Sequence, residues 1–563
     1  MLCPKSAPSP LLIALLTAVA LPVWAAPEAL DLQQQFQNLA PAAAPSAGRE
    51  LERLNREVER VNAAEEAQSL RDKAKAADMP TGPREAHVPA GFSFELKGVT
   101  HNPSQVLTDA EIDAVVKPFI GQKLDMNGLK GLLGAINQLY YQKGYIVCEA
   151  RLKPQRIRDG QLAVTLIEGK TGEVLVTNAK HTNPKMITDS FDLKSGEVAS
   201  YRELSEDLVW FNLTNDVELR VDLRAGKAPE TTDYEIFVNE PNNWTATVFA
   251  DTYGSRSTGR PRVGASVTNR SVLGLRDALM VFGMFSQGSK SGMVSYSIPF
   301  NHTGTKLTAS YSQGAVEVIN GPSKDMDVTG DSKSYSLRLD QPLLVESNKK
   351  ITLYGNWTGL LSTTSMFDVE MNRTRTDTWS LGLENIFFGN ASVVYLNTSV
   401  NRSRAEERTF DELWHTTYWT GNAFWRWRFL PTTTLSISSA WQAKLSGDDL
   451  VSSQQMYLGQ GSGVRGYPND VVAAQQGAYL NVEVSREILG PLTAIYGFVD
   501  AGKLGGKTAY SKLTLASAGV GVKWPLWKDA SINVVSAFPL IRDLEAGVPI
   551  NKVRFDVAVT AVW

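Results

Sequence analysis

The sequence predicts two fold classes in one chain: α+β modules first, then an all-β membrane domain, a 16-stranded antiparallel transmembrane β-barrel over residues 241–563. Three observations predict the second part. After Asn242, apolar and polar residues alternate in about sixteen segments, each roughly the length of a tilted membrane strand, with no convincing helix among them. The connectors alternate too: LPT, LGP and LWKD after even-numbered strands are short, while AVEVINGPSKDMDVTGD and RSRAEERTFDELW after odd-numbered strands are long. Beyond the N-terminus no stretch offers about 18 consecutive apolar residues, so a membrane would be entered by strands, not helices.

In chain order, Lys5, the apolar run LLIALLTAVALPV and the small residues up to Ala25-Ala26 form the three-part pattern of a cleaved secretory signal, residues 1–26. Cys3 leaves with it, so the mature chain keeps only Cys148 and forms no internal disulfide. The 56 basic and 59 acidic residues give no bias toward nucleic acid as a partner. PEALDLQQQFQNLA reads as a short glutamine-rich helix and PAAAPSAG as a flexible connection. Residues 48–90 follow as a charged linker. In it Leu51, Leu54, Val58 and Val61 recur at helical spacing among charges of both signs, and a solvated helix is expected.

From Phe92 the pattern becomes compact and mixed. FSFELKGV is a strand, LTDAEIDAVVKPF a helix, and Leu129, Leu132, Leu133, Ile136, Leu139 and Tyr140 stripe a second helix that stops at Gly144; YIVCEARL and GQLAVTLIEG are strands. This β-α-α-β-β order over 91–169 repeats over 170–240: GEVLVTN, a short helix from Pro184, YRELSEDLVWFNL, VELRVDLRAG and TDYEIFVNE. Neither unit carries a catalytic constellation. Their sheet edges could accept an extended peptide as an added strand.

In the barrel, Leu480, Val482 and Val484 share one face of strand twelve, with Asn481, Glu483 and Ser485 on the other. The last strand opposes Val553, Phe555, Val557, Val559 and Trp563 to Arg554, Asp556 and Thr560. Hydrocarbon admits such a sheet only when closed, since an edge would leave backbone groups unpaired. Trp357, Trp379, Trp419, Trp425 and Trp524 are candidates for interfacial girdles.

Between strands eleven and twelve lies GQGSGVRGYPND, with Gly461, Gly463 and Gly466 in the spacing G-x-G-x-x-G. A dinucleotide loop would need a helix opening on those glycines. Here Tyr467-Pro468-Asn469 reads as a turn and the next segment as a strand, so no cofactor is expected. The stretch belongs instead to the sixth external loop, roughly Ser446 to Gly477. If that loop folds into the barrel, Arg465 needs an anionic, bidentate partner. Asp500 in GFVDAG, sharing a parity with Tyr496 and Phe498, is the candidate; a solvated Arg465 and an unrelated lumenal Asp500 fit the spacing as well. There is no phosphate-loop lysine motif, and the five histidines lack metal spacing.

Val464-Arg465-Gly466-Tyr467 together with Phe498-Val499-Asp500-Ala501-Gly502 resembles the paired loop-six and strand-thirteen motifs of the Omp85 superfamily. Two β-α-α-β-β units before such a barrel resemble its two-partner secretion branch, the TpsB transporters. The resemblance implies two POTRA domains at 91–169 and 170–240 in the periplasm, and a plug helix with its connection at 27–47. It implies that Val464, Arg465, Gly466 and Tyr467 lock loop six against Phe498, Asp500 and Gly502. It further implies an outer-membrane exporter, not an enzyme, that needs no cofactor. Its partners would be a cognate TpsA-type exoprotein (a haemolysin, adhesin or contact-dependent inhibition toxin) and outer-membrane lipid, with no nucleic acid, and the chain would act as a monomer. A barrel-assembly factor of the same superfamily is the alternative.

Overall fold

The computed structural model describes residues 47–74 and 93–563, apart from 302, 322–323, 409–410, 461–462, 470, 491–492, 507–512 and 545–549. The expected signal (1–26), the glutamine-rich helix and most of the 27–47 connection therefore lie outside the described residues, as does Gly461.

The first described element is a 28-residue helix, α1 (Ala47–Ala74). The first module follows. Helix α2 (Asp109–Val116) starts at a capping box, in which the Thr108 side chain accepts from the Glu111 N–H and Glu111 accepts from the Thr108 N–H. Helix α3 (Met126–Gln142) is capped by Asp125, and its stripe of Leu129, Leu132, Leu133, Ile136 and Tyr140 is fully buried. Gly144, at φ +89°, turns the chain out of it. These helices cover a three-stranded sheet in which Gln161–Ile167 lies between Gly98–His101, parallel to it, and Glu149–Arg151, antiparallel. The second module repeats this arrangement, with Thr231–Asn239 between Lys170–Thr177 and Glu218–Ala225, under helices α4 (Pro184–Thr188) and α5 (Tyr201–Thr214).

From Trp244 to Val562 sixteen antiparallel strands pair in sequence, and the last (Arg554–Val562) closes on the first (Trp244–Asp251). Outward residues meet the exterior, as with Leu480 (47% exposed) and Val499 (55%), while Asp500 on the opposite parity is at 0%. Of two connectors expected as long loops, the one between strands nine and ten is mostly strand and the one between strands five and six is strand at both ends. Strand five runs to Glu317 and strand six begins at Val328; strand nine runs to Glu407 and strand ten begins at Glu412. Strands six, eight and ten reach 19, 20 and 19 residues, so they project well past the bilayer. There both faces meet water, the apolar alternation fades, and the ladder continues without it.

The second module is tied to the periplasmic rim. Arg276, in the turn between strands two and three, makes a fork to Asp216 (Nε–Oδ1 2.8 Å); Ser271 Oγ donates to the His181 carbonyl at 2.6 Å, and Asn183 N–H to the Gly274 carbonyl at 2.8 Å.

The charged segment expected as a solvated linker is corrected by its position: α1 runs inside the barrel. Leu51, Leu54 and Val58 are buried against Phe249, Phe282, Met284, Met293 and Leu360 of the inner wall. The physical reason is that the lumen is polar and wet, so a helix with one narrow apolar stripe and many charges suits it as well as it suits bulk water.

Candidate functional site in the barrel lumen

Among the described residues two elements occupy the lumen, α1 and loop six. At about 1.5 Å per residue α1 is roughly 42 Å long, enough to cross the barrel. Its start lies at the extracellular end, where the Ser332 hydroxyl donates to the Ala47 carbonyl (2.9 Å) and the Gly48 N–H donates to Ser362 Oγ (3.1 Å). One turn on, Ser289 Oγ donates to Glu50 at 2.7 Å. Near the periplasmic end Glu66 pairs with Lys350, and Ala67 and Leu70 pack with Ile386, Val393 and Tyr395 of the wall and with Leu213 of α5. The helix thus touches both the wall and the second module.

Loop six leaves strand eleven (Thr433–Gly447) and returns to strand twelve (Gln476–Glu487). Within it Met456–Leu458 pairs with Val472–Ala474, and the tip between them descends into the lumen. The inward path depends on two glycines. Gly463 has φ +100°, and a Cβ there would stand 2.3 Å from the Tyr479 ring; Gly466 has φ +92°.

This geometry delivers Arg465, only 4% exposed, to the wall. Nε donates to Asp500 Oδ2 (2.8 Å), Nη2 to Asp500 Oδ1 (2.9 Å) and Nη1 to Glu483 Oε2 (2.7 Å). Its backbone N–H also donates to Asp500 Oδ2, at 3.0 Å, and its Cζ lies 3.5 Å from the centroid of the Phe498 ring. Strand register explains why these partners converge, for Asp500 stands opposite Asn481 and Phe498 opposite Glu483 on paired strands. Each of the two carboxylates has the guanidinium as its partner in the buried site, and loss of one partner of such a pair costs about 3–5 kcal/mol.

The other residues singled out in the sequence lie around this pair. Val464 is fully buried, with its N–H on the Gly459 carbonyl (3.1 Å). Tyr467 is fully buried, its hydroxyl within 2.7 Å of the Ala516 carbonyl and 2.8 Å of the Ile541 carbonyl, and its own carbonyl accepts from Arg554 Nη1 at 3.1 Å. Gly502 faces the loop-six hairpin, since a Cβ there would come within 2.8 Å of Leu458. The structure therefore brings Val464, Arg465, Gly466, Tyr467, Phe498, Asp500 and Gly502 into one cluster.

Sequence reasoning missed three participants. The sequence sets Glu483 on the polar face of strand twelve but not beside Arg465; the signal was its place two residues from Asn481, across from Phe498. Asn469, whose side chain donates to the Tyr253 carbonyl at 2.7 Å, pins the loop to strand one's end. Arg49 of α1 lies 4.2 Å over the Tyr457 ring, so the helix and loop six touch each other.

Beside α1 a cavity of about 1330 Å³ opens along strands one to eleven and sixteen, lined by hydroxyls and amides such as Ser334, Thr358, Asn397, Ser399 and Thr420, by charged side chains such as Arg338, Lys350 and Glu384, and by Asp216 of the second module. Short neutral polar groups offer a moving polypeptide replaceable hydrogen bonds, each of modest net strength. Among the described residues no cluster has the makings of a metal site.

Residues 231–524 match the family described as haemolysin secretion/activation protein ShlB/FhaC/HecB, and residues 94–169 match the ShlB-type POTRA domain. The heme/hemopexin transporter protein HuxB of Haemophilus influenzae strain Rd is 24% identical over 520 residues, covering 86% of this chain and 90% of that protein. The outer membrane transporter CdiB of Escherichia coli is 23% identical over 454 residues, covering 77% of this chain and 76% of its own. In fold, the solved structure of CdiB from Escherichia coli is similar with a TM-score of 0.70 at 21% identity, over 92% of this chain and 100% of that one.

Proposed function

The chain belongs to the haemolysin secretion/activation family of ShlB, FhaC and HecB, and from that premise we propose how its lumen is gated for export. It is an outer-membrane transporter of two-partner secretion, with periplasmic POTRA structure and a secreted exoprotein as partner. The secretion-family match covers residues 231–524, most of the barrel, which favours this reading over the assembly-factor alternative. Family members are transporters; we take this chain to catalyse no covalent step and to act as a monomer in outer-membrane lipid.

In the gating we propose, α1 is the resting plug and loop six the wall-side element held by the Arg465–Asp500–Glu483 cluster. The observation that carries the proposal is the joint occupancy of the lumen: α1 and loop six touch through Arg49 and Tyr457, so movement of one alters the packing of the other. An unfolded haemolysin-, adhesin- or toxin-type cargo adds as a strand to the edges of the modules at 91–169 and 170–240, α1 leaves, and the chain threads along the polar wall of the 241–563 barrel. Cargo folding outside the cell supplies the direction. Deleting the gene is expected to trap one exoprotein in the periplasm while other outer-membrane barrels stay at normal levels; a general loss of barrels would restore the assembly-factor reading.

A further inference from the structure

The exterior of the barrel carries one concentration of charge that export does not use. On strands six, eight and nine, at their extracellular ends, Lys333, Arg375, Arg402 and Arg404 all face outward and are exposed, while their chain neighbours Ser332, Ser334, Thr376 and Ser403 are buried toward the lumen. Register brings them together: Lys333 stands opposite Leu361, Leu361 opposite Arg375, Asp377 opposite Arg404, and Trp379 opposite Arg402. At about 4.8 Å per strand and about 3.3 Å per residue, three strands across and four residues along, Lys333 and Arg402 stand roughly 20 Å apart, with Arg375 and Arg404 between them.

The acids nearby, three against four cations, offset part of this charge and leave an excess of positive charge. Asp377 is held by Arg375 at 3.0 Å, and Glu406 lies 3.8 Å from Arg404; Asp331 sits one outward step beyond Lys333. Among the described residues, Lys333 and Arg402 have no ion-pair partner. Directly below begins an exposed apolar wall of Tyr335 (52%), Leu337 (46%), Trp379 (66%), Leu381 (63%) and Val400 (49%), with Trp357 packed against Trp379 at 6.3 Å between ring centroids. Aromatic side chains mark the level where hydrocarbon meets headgroups, so the cations stand at headgroup height. The rim elsewhere differs: on strands fifteen, sixteen, two and three the corresponding outward residues are Phe538, Phe555, Val263 and Phe285.

We propose that this face binds a phosphorylated glycolipid of the outer leaflet. Arg402 and Arg404 on strand nine hold one phosphate, Lys333 on strand six a second, and the acyl chains lie along Tyr335, Leu337, Leu381 and Val400. Arginine forks suit phosphate oxygens, and two separated cationic points suit a ligand with two phosphates better than a glycerophospholipid with one. The ligand anchors the long strands that surround α1's extracellular end.

The test is a titration of the full-length barrel in detergent with bisphosphorylated lipid A, read by native mass spectrometry, with phosphatidylglycerol as the anionic control. The double variant Lys333→Gln/Arg402→Gln is expected to bind lipid A roughly thirtyfold more weakly, with phosphatidylglycerol weak and unchanged. Lys503→Gln, on strand thirteen's outer face, is expected to keep full affinity. Equal lipid A affinity in the double variant and the parent overturns the proposal, and so does phosphatidylglycerol binding as tightly as lipid A and falling in parallel. Should the double variant lose its heat-modifiable band, Arg402→Lys and Arg402→Gln measured singly decide the same question, the glutamine variant weakening by several-fold. Cargo export is scored separately, so failure of the gating scheme leaves this result readable.

Discussion

Arg465 has each of its three guanidinium nitrogens on a carboxylate oxygen, and its own backbone N–H returns to one of them. A lysine could keep the charge but not the fork. Arg465→Ala is therefore expected to leave Asp500 and Glu483 repelling each other in the wall and to cut export strongly, with the barrel still heat-modifiable on gels. Arg465→Lys should fall between. Export of cargo at the parental rate by the alanine variant would remove the locking role. Gly463 is the second residue on which the loop's path depends. Its alanine variant carries both a left-handed backbone and a Cβ 2.3 Å from the Tyr479 ring, a strain of about 1–3 kcal/mol. Limited proteolysis is expected to cut loop six faster in Gly463→Ala than in the parent, and only partly slower again when Tyr479→Ala makes room. Strand parity and loop number made Asp500 a candidate partner for Arg465 but left a solvated Arg465 open; the paired loop-six and strand-thirteen motifs of the resemblance implied the lock. Glu483 was not legible, because nothing local separates a carboxylate that lines water from one that shares a guanidinium.

At the scale of elements, α1 is the instructive case. Its period of 3.6 residues was plain from Leu51, Leu54 and Val58, but its surroundings were not. A solvated helix and a lumenal helix differ in what meets the charges, and here Glu50 meets a wall serine and Glu66 a wall lysine. Deleting residues 47–74 is expected to raise single-channel conductance in planar bilayers several-fold, since the helix lies along most of the pore's length; an unchanged current would mean that loop six alone closes the path. Strand ends failed for the opposite reason: outside the bilayer hydrogen bonding persists after the hydropathy pattern stops. The modules offer a titration test. In α2's capping box Glu111 is held down to about 2 by its hydrogen bond from Lys143 and by the Thr108 donors. A carboxyl depressed in the folded state stabilises above its unfolded value, near 4.5, and that contribution disappears as pH falls toward 2. The difference in melting temperature between the parent and Glu111→Gln should be small, because the pair is exposed, present at pH 7, and gone at pH 2.

For the molecule as a whole, the barrel could be anticipated because hydrocarbon imposes one rule on every strand, alternation with closure, whereas the relation between its parts obeys no such rule. Cluster contacts join α1 to α5 through Ala67, Leu70 and Leu213, and Arg276 joins the second module to the rim through Asp216, each pairing residues far apart in the chain. That architecture makes export depend on α1 leaving, which a crosslink can decide. A Cβ at Gly330 would lie 3.2 Å from that of Ala47, slightly inside the roughly 3.8 Å of a disulfide, so the variant Ala47→Cys/Gly330→Cys needs only a small shift to bridge. Cys148 is buried in the first module and should not compete. Oxidised, the variant is expected to hold the helix in the lumen and stop cargo from reaching the surface, with export restored by reductant; each single-cysteine variant should export normally in both conditions. Full export by the oxidised double variant, with the bridge verified by mass spectrometry, would mean that cargo passes beside a resident helix through the polar cavity, and the plug assignment would have to be given up.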